Sequence, residues 1–132
     1  MPMFPVTGAT TAGHSTFAER AARHVVEAEH TFLEWKDRYD RVSEQISEAM
    51  ADHDPRRVAE LRCERAWVQL HLRDLWGPWH REYQRWDYWM RDDVAAAQRV
   101  AGTLGQQLGD SKLPERLFAP YPRLAALAGM VG

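Results

Sequence analysis

The sequence is poor in several residue types, and each shortage excludes a class of structure. Cys63 is the only cysteine, which rules out an intrachain disulfide and a zinc site made of cysteines. Lys36 and Lys112 are the only lysines, and asparagine is absent. This usage is typical of GC-rich genomes and indicates a high-GC bacterium or a phage. The longest apolar run, residues 124–131, is far shorter than the roughly 20 residues of a membrane helix, so we expect no membrane contact.

Charge and length are those of an ordinary globular chain. The 17 basic and 19 acidic side chains give a formal charge of −2, which excludes a generally basic DNA-coating protein and an acidic disordered tail. At 132 residues with 45% hydrophobic residues, the chain has the size and composition of one domain with a core. The first residues lack the basic and apolar pattern of a leader. The expected location is therefore the cytoplasm or the inside of an assembled particle.

Helical signals begin at Thr16, after a segment with Gly, Pro, Ser and Thr that predicts an extended N-terminal arm over residues 1–15. Thr16 and Glu19 form a capping-box pattern. Apolar residues then recur at alternating spacings of three and four, which predicts one long heptad-patterned helix ending near Asp52. They are Ala18, Ala21, Val25, Ala28, Phe32, Trp35, Tyr39, Val42, Ile46 and Ala49.

The segment from Asp54 to about Trp76 predicts a second helix that is apolar on two sides. Asp54 suits the N-cap, and Pro55 suits the first helical position. One face holds Val58, Leu61, Val68, Leu72 and Leu75, and nearly opposite lie Ala59, Cys63, Ala66 and Leu70, with Trp67 beside them. A helix that is apolar on two sides must be covered on two sides. We expect that three helices of one chain cannot cover both.

A third helix is predicted from about Trp79 to Leu108, after Gly77-Pro78, where the chain must kink or turn. Its apolar face holds Trp79, Tyr83, Trp86, Met90, Val94, Ala97, Ala101, Leu104 and Leu108. Short helical turns are expected near residues 114–118 and 124–128. The predicted fold is all-α, with three main helices in an elongated bundle over residues 16–109. The arm precedes this bundle, and a C-terminal tail with the short helical turns follows it over residues 110–132.

These patterns predict a non-enzymatic assembly or adaptor subunit of a multi-protein particle, because apolar surface that one chain leaves open marks a contact with another chain. Tyr88 and Trp89 lie off the apolar face of the third helix and near arginines. Exposed aromatic residues beside arginine are the composition of interface hot spots. The partner is either a second copy or a different protein. The predicted partner-binding residues are Phe4, Ala59, Cys63, Trp67, Leu70, Arg85, Tyr88 and Trp89.

A first alternative is nucleic-acid binding. Arg62, Arg65 and Arg73 form a basic ridge on the second helix. Such a ridge, together with aromatic residues, is typical of a helical small subunit that binds RNA or single-stranded DNA in a ribonucleoprotein.

A second alternative is a small inhibitor or secreted effector that docks one partner protein. Trp76-Gly77 at a predicted turn, followed by the segment Tyr83–Asp87, is similar to the WXG-type secreted proteins of type VII systems, and this resemblance implies such an effector. That family carries Trp-x-Gly in its turn and Tyr-x-x-x-Asp/Glu after its second helix. Here Trp and Gly are adjacent, and the Tyr–Asp pair falls within a predicted helix.

Candidate catalytic and metal-binding residues are few. Glu27 and His30 have the Glu-x-x-His spacing of a metal-binding helix, but the matching second motif is absent and both fall on the polar face. Asp92 and Asp93 are adjacent and point about 100° apart, so they do not form one acid–base site. No nucleophile–base arrangement or phosphate-binding glycine loop stands out. We therefore expect no enzyme activity, cofactor or metal.

Overall fold

The computed structural model describes residues 16–130, and among these the chain is all-α, without a strand. The side chains of residue 17 and of residues 21–30 lie outside this description. The helices are α1 (Phe17–Ala51), α2 (Pro55–Asp74), α3 (Arg81–Leu108), α4 (Leu113–Phe118) and α5 (Pro122–Leu127). Three long helices followed by two short ones confirm the predicted fold class.

The chain divides into two units, residues 1–32 and residues 33–132. In the first unit the described part is the start of α1, where Thr16 Oγ1 accepts a hydrogen bond from the Glu19 backbone N–H at 3.1 Å. This bond satisfies one of the first amides of the helix, which have no partner within it. The predicted helix start is confirmed, whereas the arm predicted over residues 1–15 lies outside the described residues.

In the second unit, α1 ends and α2 begins where the sequence predicts. His53 has a left-handed backbone with a φ of 54°, which carries the chain away from α1. Asp54 then caps α2, because its Oδ1 accepts a hydrogen bond from the Arg57 backbone N–H at 3.1 Å. Pro55 occupies the first turn, where its missing N–H costs nothing.

The chain itself covers both apolar sides of α2. On one side, Val58 and Leu61 are buried with Val42, Ile46 and Ala49 of α1. On the other side lies a larger cluster to which α2, α3, α4 and α5 all contribute. Its buried members are Ala59, Cys63, Ala66, Leu70, Met90, Val94, Ala97, Ala101, Leu113, Leu117, Phe118 and Leu124. The expectation that α2 keeps an uncovered face is therefore wrong, because the short helices α4 and α5 supply the missing cover.

Gly77-Pro78 lies in a full turn between α2 and α3. His80 caps α3, since its Nδ1 accepts a hydrogen bond from the Glu82 backbone N–H at 3.0 Å. Trp79 lies before the helix with 92% of its surface exposed, so its predicted place on the buried face is wrong. Leu108, in the last turn of α3, is also exposed. The middle of the predicted face, Trp86, Met90, Val94, Ala97 and Ala101, is buried.

The turn from α3 into α4 depends on two glycines. Gly109 ends α3 in the left-handed conformation, with a φ of 69°, which glycine adopts without steric cost. Gly105 is buried where the chain returns: the Asp110 N–H donates to its carbonyl at 2.7 Å, and a Cβ at this position would overlap the Asp110 carbonyl oxygen. This close approach brings α4 onto the core.

Candidate protein-interaction surface

The outer side of α3 carries three of the residues that the sequence assigns to a partner. Tyr88 is 69% exposed and Trp89 is 40% exposed, and Arg85 is exposed beside them. At 100° per residue, these three and three further residues fall within about 100° of one another around the helix. We call this set the α3 outer surface. Its members, all exposed, are Arg81, Arg85, Tyr88, Trp89, Asp92 and Arg99.

Trp89 is held in place by two further aromatic rings, which meet edge to face. Its indole meets the buried Trp86 edge to face, with ring centroids 5.1 Å apart, and Trp86 meets Tyr39 of α1 in the same way at 5.2 Å. The Arg85 guanidinium lies 6.0 Å from the Trp89 ring centroid. Rings fixed in this way lose little conformational entropy on binding, which is the property of an interface anchor.

A small pocket opens between α1, α2 and α3 next to Trp89. Its volume is about 130 Å³, and its walls combine aromatic and charged groups. We call it the Gln69 pocket. Its lining residues are Tyr39, Arg65, Gln69, Trp89, Asp92 and Asp93.

Two polar groups of the Gln69 pocket form neither a hydrogen bond nor an ion pair with the described residues. Gln69 is 2% exposed, and its buried Oε1 accepts no hydrogen bond there. Asp92 is exposed and forms no ion pair with the described part of the chain. A buried acceptor without a donor costs free energy, on the order of 1–3 kcal/mol, so a donor that reached Gln69 Oε1 would remove this cost.

Asp93, by contrast, is fully engaged. Its carboxylate is buried and accepts three hydrogen bonds: from Arg62 Nη1 at 2.8 Å, and from Arg65 Nε and Nη2 at 2.7 and 2.9 Å. Arg65 also donates to Ser43 Oγ of α1 at 3.2 Å. Burial opposes the charge of Arg65, yet the hydrogen bonds and charge of Asp93 outweigh it and raise the pKa of Arg65.

Arg73, the third member of the predicted basic ridge, is also paired. Its guanidinium donates to Asp87 of α3 at 2.9 Å and to Asp74 at 3.0 Å, and it lies 4.8 Å from the Tyr83 ring centroid. Burial opposes the charge of Asp87, but hydrogen bonds from Arg73 and Arg91 overcome it and lower the pKa of that carboxyl.

The basic ridge predicted for nucleic-acid binding is therefore wrong as an open surface. Arg62, Arg65 and Arg73 point toward the carboxylates of α3, and each of them already donates to one of those acids. A phosphate would have to displace buried ion pairs, and removing one partner from such a pair is strongly destabilising.

Three predicted partner residues on α2 are also corrected. Ala59, Cys63 and Leu70 have no exposed surface, because α3, α4 and α5 pack over them. Burial, followed by the charges of Asp93 and Glu60, raises the pKa of Cys63 to about 12. The thiol stays protonated at neutral pH and is therefore not a nucleophile.

Trp67 belongs to an aromatic cluster between α1, α2 and α5. Its ring meets His71 edge to face at 4.4 Å and Tyr121 at 5.7 Å, while Trp35 of α1 stacks flat on His71 at 4.1 Å. These neighbours leave Trp67 half-buried. Residues of its own chain therefore cover much of the surface that the sequence predicts to contact a partner. Phe4 lies outside the described residues.

The remaining chemical candidates add no second site. The side chains of Glu27 and His30 lie outside the description. Among the described residues no group of three or more His, Cys, Asp or Glu is placed to hold a metal ion. Within residues 16–130 none of the helices has the length and apolarity that crossing a bilayer requires.

Sequence reasoning missed the interior role of Gln69 and Asp93. A signal was present for Asp93, which lies seven residues after Trp86 and four before Ala97 and so shares the buried face of α3. An acid on an apolar face requires a buried partner. Two arginines of the basic ridge of α2, Arg62 and Arg65, are the partners of this acid.

Comparisons with known proteins do not assign this site. No family model matches the chain, and neither a curated protein nor a solved structure matches it.

Proposed function

We propose that the chain is a non-enzymatic helical subunit that acts through protein–protein contacts of its α3 outer surface. The observation that carries this proposal is the exposure of Tyr88 and Trp89 above a fixed aromatic stack. Trp, Tyr and Arg dominate the energetics of protein interfaces, and here an exposed Arg, Tyr and Trp lie side by side on one helix.

The basis of this proposal differs from that of the sequence prediction. The second apolar face of α2 is closed by the chain's own short helices, so it offers nothing to a partner. The aromatic and arginine-rich side of α3 stays open to a partner. It supports an assembly or adaptor role in a multi-protein particle, and we propose that particle, or the cytoplasm where it forms, as the location.

A photo-crosslinking experiment tests the proposal. The photoreactive residue p-benzoylphenylalanine replaces Tyr88 in one variant and Glu48, an exposed residue of α1, in a control variant, and both are irradiated in the cells that make the chain. We expect a discrete covalent adduct from position 88, none from position 48, and loss of the adduct when Trp89→Ala is added. Equal adducts from both positions, or none from position 88, would contradict the proposal.

A further inference from the structure

We propose that the partner of the α3 outer surface is a second copy of this chain. Two α3 helices pack antiparallel across a twofold axis, and Arg85 of each copy enters the Gln69 pocket of the other. This inference rests on the proposed function, because it names the partner of that same surface.

The chemistry of the Gln69 pocket selects a cation that donates hydrogen bonds. Gln69 Oε1 is an acceptor without a donor, and Asp92 is a carboxylate without an ion pair among the described residues. The rings of Tyr39 and Trp89 form further walls, and aromatic faces attract cations. An anion would meet the carboxylate of Asp92, while the donors of Arg65 are already committed to Asp93 and Ser43.

Among protein side chains, a guanidinium fits these demands better than an ammonium. It is planar and stacks on an aromatic ring, it offers several donors in a fixed plane, and it sheds its weakly held water more readily. The pocket volume of about 130 Å³ resembles that of a cavity of about 150 Å³ known to admit a benzene ring. A guanidinium, with four heavy atoms, is smaller than that ring.

The sequence of α3 supplies such a guanidinium in a self-complementary position. Arg85 and Asp92 lie at equal distances, 3.5 residues, on either side of the midpoint between Tyr88 and Trp89. A twofold axis through that midpoint therefore places Arg85 of each copy opposite Asp92 of the other, about 5 Å from the axis along the helix. Tyr88 and Trp89 meet their counterparts at the centre, where hot-spot residues concentrate.

Rearranging Arg85 for this contact costs little. In the single chain it pairs with Glu82 at 2.9 Å and lies 6.0 Å from the Trp89 ring centroid, and its side chain is 46% exposed, so these contacts contribute little to stability. Arg81 and Arg99 lie 7.5 and 10.5 residues from the axis. At the rim of the interface their like charges stay hydrated. The contact is one helix wide, so we expect a reversible dimer of the small, weak interface class.

Charge exchange tests the paired positions. The molar mass of the wild-type chain, measured by sedimentation over a concentration series up to about 1 mM, is expected to rise from monomer to dimer. Arg85→Glu faces Asp92 of the other copy with a like charge, and Asp92→Arg faces Arg85, so each variant should dimerise at least ten-fold more weakly. The double variant Arg85→Glu/Asp92→Arg restores both charge pairs but brings no donor to Gln69, so it should recover part of the lost affinity. Circular dichroism checks that every variant keeps its helix content.

Mixing the two single variants gives a result that only pairing across the axis predicts. In a heterodimer of the Arg85→Glu chain with the Asp92→Arg chain, both positions carry opposite charges. Two chains that are each monomeric should therefore associate when mixed, with one copy of each. A failure to associate would overturn the inference, as would a double variant as weak as the single ones.

Two further variants separate the pocket from general electrostatics. Gln69→Leu removes the acceptor without a donor, so we expect the single chain to be at least as stable while dimerisation weakens several-fold. Arg57→Glu is the matched control, because it makes the same charge change at an exposed residue of α2 outside the α3 outer surface, and it should not weaken the dimer. Equal weakening by Arg57→Glu, or no weakening by Gln69→Leu, would contradict insertion of Arg85 into the pocket.

The outcomes distinguish this inference from the proposed function. A wild-type chain that stays monomeric up to about 1 mM overturns the inference. If such a monomeric chain still gives a crosslink from position 88 to another protein, the proposed function stands without the dimer. An absence of any crosslink from position 88 contradicts the proposed function itself.

Discussion

Replacing Asp93 with alanine should destabilise the fold by about 3–5 kcal/mol, the cost of breaking a buried ion pair by removing one partner. The carboxylate of Asp93 is 2% exposed and accepts three hydrogen bonds from Arg62 and Arg65. Each hydrogen bond to a charged group contributes roughly 1.5–3 kcal/mol. The two arginine side chains are 22% and 19% exposed, so they regain part of their hydration, and the net cost stays below the sum of the three bonds.

Urea denaturation followed by circular dichroism measures this cost. With a slope of about 2 kcal/mol per molar urea, the midpoint should fall by about 2 M. Asp92→Ala is the matched control: it removes the adjacent carboxylate, which is exposed and forms no ion pair with the described residues, so its effect should stay within about 0.5 kcal/mol. Both variants are measured at concentrations where the chain is monomeric.

The reasoning also predicts how the loss can be recovered. In Arg62→Met/Arg65→Met/Asp93→Leu, apolar side chains replace the whole charged group, and most of the stability lost in Asp93→Ala should return, because no charge is left unpaired in the interior. A loss below about 1 kcal/mol in Asp93→Ala, or a triple variant less stable than that single one, would refute the account of this network.

Three further results are expected from other parts of the fold. In thermal or urea unfolding, Gly105→Ala should cost about 1–3 kcal/mol, because its Cβ meets backbone, whereas Gly102→Ala, with open space around it, should gain about 0.5–1 kcal/mol. Cys63, whose pKa is raised to about 12, should react with iodoacetamide at pH 8 only after unfolding, and rapid labelling of the native chain would contradict its burial. Burial and nearby Arg123 lower the pKa of His71 in the folded chain, so on acidification the unfolded chain takes up a proton at this histidine first. The contribution of His71 to stability is therefore complete above pH about 6.5 and is lost as the pH falls below that value. Urea midpoints from pH 7 to 5 should fall less in His71→Phe, and an identical fall would refute that assignment.

Local signals in the sequence are sufficient for the starts of α1 and α2. Thr16 begins α1, and Asp54 with Pro55 begins α2, because caps and prolines act on backbone groups within a few residues. The start of α3 was placed two residues early, at Trp79. The cap of α3 is His80, and the Trp79 side chain is left in solvent.

The sequence does not predict in the same way how helices that are distant along the chain pack together. The pattern of α2 showed two apolar faces, but it did not show that α4 and α5 return to cover the second one, because that depends on the close turn at Gly105. The exposed aromatic residues of α3, Tyr88 and Trp89, were found because they depart from the apolar periodicity of their own helix. The sequence also shows the basic ridge, but it does not show which way the arginine side chains point. Asp93, which pairs with Arg65 and Arg62, lies 28 and 31 residues further along the chain.

The buried network and the proposed interface are physically connected through the adjacent carboxylates of α3. Asp93 takes the donors of both Arg62 and Arg65, and Asp92 keeps its charge without an ion pair among the described residues. Were position 93 apolar, Arg65 would lose its carboxylate partner, and the charge of Asp92, which already acts on Arg65, would attract its guanidinium. The Gln69 pocket would then lose the carboxylate that attracts a cation. The interior charge of Asp93 thus keeps Asp92 open to the guanidinium that we propose comes from another copy.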